Sequence, residues 1–232
     1  MTDTLLHLDA SASHPDVSVS RRLTSTFAET WRRAHGGAHI HRDLAADPVP
    51  LPTPSYVTFG TRVERHGVVP FRSVAAMAEN AAERAEWART APLVEELLAA
   101  DTVLLGTPMY NYSVPAALKA WIDRVTFPGV YTDPATGDSL LAGTRVVVVS
   151  ARGGGYRPGS PYAPLDFQEP YLRAYFGKLG VRDENITFVH AEFTRAADIP
   201  ALAGFQHLTE SSFAAARVQV VEIATAMPAA VR

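Results

Sequence analysis

The sequence predicts an α/β fold, a three-layer αβα sandwich in which helices cover both faces of a five-stranded parallel sheet. Three observations support this prediction: five short apolar runs, helix-length segments between them, and 47% hydrophobic residues in a chain of 232. Such a chain can bury one substantial core, so we predict a single domain over residues 1–232. Parallel strands need long right-handed crossovers, and five strands joined in this way favour the sheet order 2-1-3-4-5.

The five apolar runs are rich in β-branched side chains, which is typical of strands, and they cover residues 5–8, 38–41, 102–106, 145–150 and 186–190. Helical spacing predicts helices at about 20–35, 74–89, 92–99, 114–125, 169–179 and 205–225. In the first of these helices, Leu23, Phe27 and Trp31 share one face, and Gly36 follows as a C-terminal stop.

The segment at about 43–90 is too long for a simple connection between two elements. It carries Pro48, Pro50, Pro52 and Pro54, followed by a charged, alanine-rich helix. We predict a helical insertion within the domain. Two interpretations stay open: a flap that fills surface, and a cover or subunit contact near the functional site.

Composition excludes several classes of function. The chain has no cysteine, so disulfides, thiolate metal sites and cysteine-ligated clusters are ruled out, and redox chemistry would need a cofactor. A net charge of -3 without Lys/Arg blocks argues against nucleic-acid and anionic-membrane partners. No apolar stretch reaches the roughly 20 residues that cross a bilayer. The start Met-Thr-Asp-Thr lacks a basic signal region, so we expect a cytoplasmic protein.

In this sheet order a ligand binds at the carboxyl ends of the strands, where the winding direction switches. The first strand is followed there by Ser11, Ser18 and Ser20, just before the first helix. Hydroxyls and free N–H groups at a helix N-terminus suit a phosphate. The alternative interpretation is that Ser18 or Ser20 only caps the helix. Neither GxGxxG nor a Walker loop occurs in this stretch.

Two further loops follow the third and fourth strands. Between Pro108 and Pro115 the chain offers flat and polarizable side chains that suit a planar heterocycle, although they would also pack a simple turn. After Ser150, consecutive glycines allow close approach of the backbone to a ligand, although a flexible turn has the same composition. Together the three loops predict one mononucleotide-sized site.

Four stretches carry a family resemblance: Arg-Asp-Leu-Ala-Ala-Asp-Pro-Val-Pro at 42–50, Pro-Met-Tyr-Asn-Tyr-Ser-Val-Pro-Ala-Ala-Leu-Lys at 108–119, Arg-Gly-Gly at 152–154 and Tyr-Leu-Arg-Ala-Tyr-Phe-Gly-Lys-Leu-Gly at 171–180. They resemble the FMN-dependent NADH-azoreductase (NADH:quinone oxidoreductase) family over nearly the whole chain. The resemblance implies a flavodoxin-like fold, tightly bound FMN, NADH or NADPH as co-substrate, and quinone or azo acceptors. It also implies a homodimer with active sites at the subunit interface.

By this resemblance, the FMN phosphate would be held by Ser11, Ser18, Val19 and Ser20, and the isoalloxazine by Met109, Tyr110, Asn111, Tyr112, Ala151, Arg152, Gly153 and Gly154. Ala151 stands where many members have serine. The segment after Arg124 is shorter than the family's usual aromatic wall over the flavin, and Phe127 or Tyr131 is the expected substitute.

Hydride transfer is the cofactor's own chemistry, so no catalytic side chain is required and ping-pong kinetics are expected. The alternative function is a non-enzymatic flavodoxin-type electron carrier or a flavin-binding partner protein. The mild acidity of the chain and the insertion favour the enzyme.

Histidines give no further site in this sequence. His39 and His41 project from one strand face, but no third metal ligand lies near them in the sequence, so we predict a solvated or half-buried face and no metal. His7, His190 and Glu192 have no nucleophile arranged beside them, so we predict no catalytic triad.

Overall fold

A five-stranded parallel sheet forms the centre of the computed structural model, which describes residues 3–226. The strands are β1 (Thr4–Asp9), β2 (Ala38–Asp43), β3 (Thr102–Pro108), β4 (Arg145–Ala151) and β5 (Ile186–Ala191). All neighbours pair in parallel in the order β2-β1-β3-β4-β5, which confirms the predicted fold class. Each strand extends one or two residues beyond its predicted carboxyl end.

Helices cover both faces of the sheet. They are α1 (Val19–His35), α2 (Pro54–Arg65), α3 (Phe71–Val74), α4 (Ala81–Ala99), α5 (Ala116–Val125), α6 (Gln168–Lys178) and α7 (Gln206–Ala226). α1 and α7 bury their apolar faces against one side of the sheet, and α2, α4, α5 and α6 pack on the other. Among the described residues, no helix is long and apolar enough to span a membrane.

Alternation along β1 assigns its side chains to the two layers. Leu5 lies in the core under α1, whereas Leu6 and Leu8 lie in the core on the opposite face. This is the period of two that a strand imposes. His7 and Asp9 follow Leu5 on the α1 side and are also buried, so polar groups occupy a layer that is otherwise apolar.

α1 follows the predicted pattern closely. Leu23, Phe27 and Trp31 are buried against the sheet, and the Ser18 side chain caps the helix by accepting a hydrogen bond from the Arg21 N–H. The helix ends at Gly36, whose φ of 63° is left-handed and costs glycine little.

The two helices predicted at 74–89 and 92–99 were wrong, because the structure has one helix, α4, across most of that region. Its start is set by Asn80, whose side chain accepts from the Glu83 N–H. It continues through Pro92 because Leu93 and Val94 are buried in the core, and this burial offsets the lost backbone hydrogen bond. The limits of the proposed 43–90 insertion stay a prediction.

α2 was missed in the sequence, although its start has a recognisable signal. Thr53 caps it by accepting from the Tyr56 N–H, and Pro54 occupies the first turn, where its missing N–H costs nothing. The four closely spaced prolines at 48, 50, 52 and 54 obscured this helix start in the sequence.

A buried ion pair connects the helical layer to the proline segment. Arg124 of α5 is fully buried and donates to Glu86 of α4 at 2.8 Å. Its remaining N–H groups donate to the carbonyls of Pro50 and Leu51 at 2.8 and 2.9 Å. One guanidinium therefore holds α4, α5 and the proline segment together, and its removal would leave the buried Glu86 side chain with only the exposed Arg89 as an ion-pair partner.

We expect Arg124→Met to lower the free energy of unfolding by about 3–5 kcal/mol, because it leaves the buried Glu86 carboxylate with only the exposed Arg89 as a partner. The control is Lys119→Met, which breaks the exposed pair with Asp123 on the same helix and should cost about 0–1 kcal/mol. Urea unfolding of both variants measures the difference. Equal losses of unfolding free energy in the two variants would show that the buried pair contributes no more to stability than the exposed pair does.

Candidate functional site

A cavity of about 480 Å³ opens at the carboxyl ends of β1, β3 and β4. β1 and β3 are neighbours in the sheet, and the winding direction reverses between them. The predicted residues that line the cavity are Ser11, Ser18, Val19, Ser20, Met109, Tyr110, Asn111 and Ala151. Tyr112, Arg152, Gly153 and Gly154 were predicted with them but lie outside this lining. The structure thus brings all three predicted loops to one place.

The N-terminus of α1 forms one wall of the cavity. Ser11, Ser18 and Ser20 are almost fully buried there, and the hydroxyl oxygens of Ser18 and Ser20 are 3.4 Å apart. The first turn of α1 contains no acidic side chain. N–H groups of a first turn lack partners within the helix, and they give this end a partial positive charge. The wall therefore suits a phosphate, and Ser18 serves both as helix cap and as lining.

Arg21 holds the loop before α1 in place. Its guanidinium binds both carboxylate oxygens of Asp43 at 2.6 and 2.7 Å and donates to the Ser11 carbonyl at 2.6 Å. The Arg21 hydrogen bonds hold the pKa of Asp43 below its usual range. The position of Ser11 is thus fixed by Arg21, which no sequence pattern marked.

The loop after β3 is a tight turn with an unusual backbone. Asn111 and Tyr112 have φ of 48° and 71°, and Tyr110 and Ser113 exchange two backbone hydrogen bonds across them. Two consecutive left-handed residues are typical of a type I′ turn. A tyrosine in this conformation is strained, which is common at functional sites. The Tyr110 hydroxyl accepts from the Ala12 N–H at 3.3 Å, so the turn is also bound to the first loop.

Gln168 fixes the ends of β3 and β4 relative to each other, and sequence reasoning missed it. Its side-chain amide donates to the Pro108 carbonyl at 2.9 Å and accepts from the Ser150 hydroxyl. Gln168 is buried at the start of α6, far along the chain from both partners. No motif marked it, because an amide that bridges two loops has no sequence signature.

The Arg152 side chain is directed into the protein. Its guanidinium is buried, lies 2.8 Å from Asp166, and comes within 3.7 Å of Glu169 and 3.8 Å of Glu192. The hydrogen bond from His190 holds the pKa of Glu169 down at about 2, so Arg152 faces a carboxylate there at neutral pH. The Arg152 charge therefore faces these carboxylates, and Ala151 is the residue of the 151–154 segment that lines the cavity.

A fourth loop, after β5, also reaches the cavity and was not predicted. Thr194, Arg195 and Asp198 line it. The Arg195 N–H donates to the Gly153 carbonyl at 3.4 Å, and the Phe193 N–H donates to the Gly154 carbonyl at 3.2 Å. The available signal was position alone: these residues follow the fifth strand of a parallel sheet.

Neither Phe127 nor Tyr131 can form an aromatic wall over a ligand, so that prediction was wrong. Phe127 is buried in the core, where its ring packs 5.0 Å from Trp87. Tyr131 is also buried, and its hydroxyl donates to the Val125 carbonyl. Aromatic side chains do gather beside the glycine-rich loop. The ring centroids of Tyr112 and Tyr156 are 6.5 Å apart, and those of Tyr156 and Tyr162 are 6.0 Å apart.

The structure places two further candidate metal ligands beside His41 that the sequence analysis did not identify, and the prediction of no metal stays a prediction. In the β1–β2 register, His7 lies opposite His41, and Asp9 lies two residues further along on the same face. His7, Asp9 and His41 bring their ligand atoms within 4.8 Å of one another. The missing partners came from the neighbouring strand, which a reading along the chain does not reach. His39 is half-buried and His41 exposed, as predicted.

Comparison with known proteins identifies the family. Residues 3–206 match the model of a family described as having a flavodoxin-like fold. An FMN-dependent NADH:quinone oxidoreductase of Nocardia farcinica is 46% identical over 213 residues, which are 91% of this chain and 93% of that protein. The chain belongs to the FMN-dependent NADH:quinone oxidoreductase family. A second member, from Xanthomonas axonopodis pv. citri, is 44% identical over 202 residues, covering 86% of this chain and 87% of that protein.

Solved structures extend the likeness of the fold to azoreductases. A crystal structure of an azoreductase from Bacillus anthracis superposes with a TM-score of 0.75 at 20% identity, over 98% of this chain and all of that one. An FMN-dependent NADH-azoreductase from the same species, solved in complex with FMN, gives a TM-score of 0.71 at 20% identity, over 96% of this chain and 100% of that one. At 20% identity these two structures show that the fold is shared and nothing further.

Proposed function

We propose that this protein is an FMN-dependent enzyme that transfers electrons from NADH or NADPH to quinones, and also to azo compounds. The observation that carries the proposal is the acid-free N-terminus of α1 opening into the same cavity as the Met109 turn. One wall suits a phosphate and the other suits a flat ring. Membership of a family whose curated members are named FMN-dependent NADH:quinone oxidoreductases supports this assignment.

The residues present fit FMN. A volume of about 480 Å³ is in the usual range for a small-molecule site. We assign the phosphate to the hydroxyls of Ser11, Ser18 and Ser20 and to the free N–H groups of the first turn of α1, because these groups are buried and point into the cavity. Tight binding follows from burial, since charge-assisted hydrogen bonds gain strength away from water.

We assign the ring system to the turn at 109–111 and to the backbone at 151–154. Met109 and Tyr110 present polarizable and aromatic surface, and Asn111 offers an amide for hydrogen bonding. Ala151 removes a hydroxyl that many family members have, and its backbone carbonyl already accepts from the Met109 N–H at 2.8 Å. That bond holds the two assigned segments in a fixed relation.

Bound FMN would supply the redox chemistry, taking a hydride from the reduced nicotinamide and passing two electrons to the acceptor. The chain contributes position and shape. Gln168 and the Ala151 carbonyl keep the Met109 turn in place, while Arg21 and the Tyr110 hydroxyl hold the phosphate loop against it. Two substrates that bind one after the other must each be held in a defined orientation, and these contacts serve that purpose. Enzymes of this kind need a compartment that supplies reduced nicotinamide, so we place this one in the cytoplasm.

A homodimer is part of the proposal. Several large apolar side chains near the cavity and the proline segment are exposed, among them Tyr112 at 45%, Phe167 at 57% and Leu51 at 70%. Exposed apolar groups that cluster near a site commonly mark an interface. A second subunit would cover the aromatic group beside the glycine-rich loop and close the site from water.

Light scattering of the FMN-loaded protein at micromolar concentration should give twice the mass of the 25.0 kDa chain. Phe167→Glu should shift the mass toward the monomer, because it places a charge in the expected contact. Val218→Glu, on the exposed side of α7 away from this region, is the control. A monomeric wild-type protein with full activity would remove the dimer from the proposal.

Ser18→Asp should weaken FMN binding by about 10-fold or more, because a phosphate hydrogen bond worth about 1.5–3 kcal/mol is replaced by repulsion between like charges. Aspartate is as good a helix cap as serine, so α1 should remain stable. Ser25→Asp adds the same charge to an exposed position on the same helix and serves as the control.

Flavin fluorescence titration of both variants with FMN and with riboflavin measures these affinities. Riboflavin lacks the phosphate, so its affinity should not change in Ser18→Asp. Unchanged FMN affinity in that variant would show that Ser18 only caps the helix, and an equal loss for both ligands would point to a general structural effect.

Stopped-flow mixing of the oxidised, FMN-loaded protein with NADH or NADPH should bleach the flavin absorbance, and added quinone should restore it. Quinone reduction should be faster than azo cleavage, since a quinone needs one two-electron cycle and an azo bond needs two. Steady-state plots at several quinone concentrations should give parallel lines. Bound flavin that neither nicotinamide reduces would favour an electron carrier over an enzyme.

A further inference from the structure

A polar cluster lies on the α1 side of the sheet, behind the phosphate loop and outside the proposed flavin site. It consists of His7 and Asp9 on β1 and of His39 and His41 on β2. The two strands are parallel and in register, so these side chains share one face. None of the four lines the cavity at 11–20, 108–111 and 194–198.

The distances within the cluster match those between ligands of a small cation. Nε2 of His7 and Nε2 of His41 lie 3.3 and 3.1 Å from the same oxygen, Oδ2 of Asp9. In a tetrahedral zinc site with bonds of about 2.0–2.1 Å, neighbouring ligand atoms are separated by about 3.3 Å. Both nitrogens thus lie at ligand spacing from this oxygen, and all three atoms lie within 4.8 Å of one another, without any change of the backbone.

The burial of His7 and Asp9 supports a specific binding site. His7 and Asp9 are each only 4% exposed, and Nε2 of His7 has no hydrogen-bond partner among the described residues, although it is directed at the cluster. Nε2 of His7 lies 3.3 Å from Oδ2 of Asp9 without forming a hydrogen bond with it, so a buried carboxylate oxygen stands next to an unsatisfied imidazole nitrogen.

Contacts with neighbouring side chains orient these ligands. The Thr24 hydroxyl donates to Oδ1 of Asp9 at 2.9 Å, and Nδ1 of His7 lies 3.3 Å from Nε2 of His39. Gly106 on β3 leaves the space for Asp9, because a Cβ there would come within 2.5 Å of Oδ1. Metal-binding histidines and carboxylates characteristically have such partners on their remaining atoms.

Charge and access also permit a cation. Nη1 of Arg21 is 4.0 Å from Oδ2 of Asp9, but Asp43 binds that guanidinium through both oxygens and offsets its charge. The side chain of His41 is 45% exposed, so an ion can enter from solvent. The entry side is a concavity of about 760 Å³ between α1 and β2.

We propose that His7, Asp9 and His41 form a binding site for a divalent transition-metal ion of the zinc class, with water as the fourth ligand. Two imidazoles and one carboxylate suit such ions, whereas calcium and magnesium prefer oxygen ligands throughout. The site joins the edge strand β2 to β1, so the ion acts as a structural brace behind the phosphate loop. This inference is independent of the proposed function.

Calorimetric titration of the FMN-loaded protein with zinc chloride tests the site. Wild type should bind about one zinc ion per chain, and bound zinc should raise the melting temperature, as any ligand of the native state does. His41→Gln should weaken zinc binding by more than the roughly 10–100-fold typical of lost second-shell contacts, because it removes a ligand. His41 is exposed, so this variant should fold, and its FMN content reports that it does.

Two controls locate the ion. His66→Gln removes an exposed histidine at the end of α2 and should leave zinc binding unchanged. His14 lies 3.2 Å from Asp16 on the surface and is the competing site, so His14→Gln should also bind zinc normally. Absence of saturable zinc binding in wild type, equal affinity in His41→Gln, or loss of binding only in His14→Gln would each overturn the proposal. None of these results bears on flavin reduction, which is measured separately.

Discussion

The parallel pairing of β1 with β3 and of β3 with β4 determines where every group of the proposed flavin site can lie. Asp9 pairs with Gly106, and Pro108 pairs with Ala151, so the three strands end at one edge. Loops that are about 100 and 40 residues apart in the chain therefore start within a few ångströms of each other, as the spacing of neighbouring strands requires. A shift of one residue in this register would exchange the faces and bury the wrong side chains.

Buried polar contacts then hold the loops in the positions that the strands set. Gln168 spans the ends of β3 and β4, Arg21 holds the carbonyl of Ser11, and the Tyr110 hydroxyl joins the first loop to the second. Gln168 and Arg21 are buried and would be costly to leave unpaired, so their contacts constrain geometry more than they add stability. The walls of the cavity are thus joined by shared hydrogen bonds.

The same principle explains why the arginines of this protein are poor guides to ligand binding. Arg21, Arg124 and Arg152 are all buried, and each is matched with carboxylates or carbonyls of the chain. Burying such a charge is favourable only when its partners are in place. Their role is to fix the relation between elements, and the proposed phosphate contacts are instead a helix terminus and hydroxyls that carry no formal charge.

Much of this molecule was predictable from the sequence because local patterns report local physics. The alternating apolar runs, the spacing of Leu23, Phe27 and Trp31, and the serines before α1 were sufficient for the fold class, the sheet order and three of the four loops at the cavity. Contacts across strands were not predictable in this way. Gln168, Arg195 and the cluster of His7, Asp9 and His41 depend on which residues of distant segments become neighbours. Phe127 was assigned to the aromatic wall over the flavin for the same reason, because only the packed core shows that α2 and α4 cover it. The sequence alone therefore determined the five strands, most of the helices and the edge at which the proposed ligand lies, and the tertiary structure decided which side chains meet there, because parallel pairing joins residues that no local pattern connects.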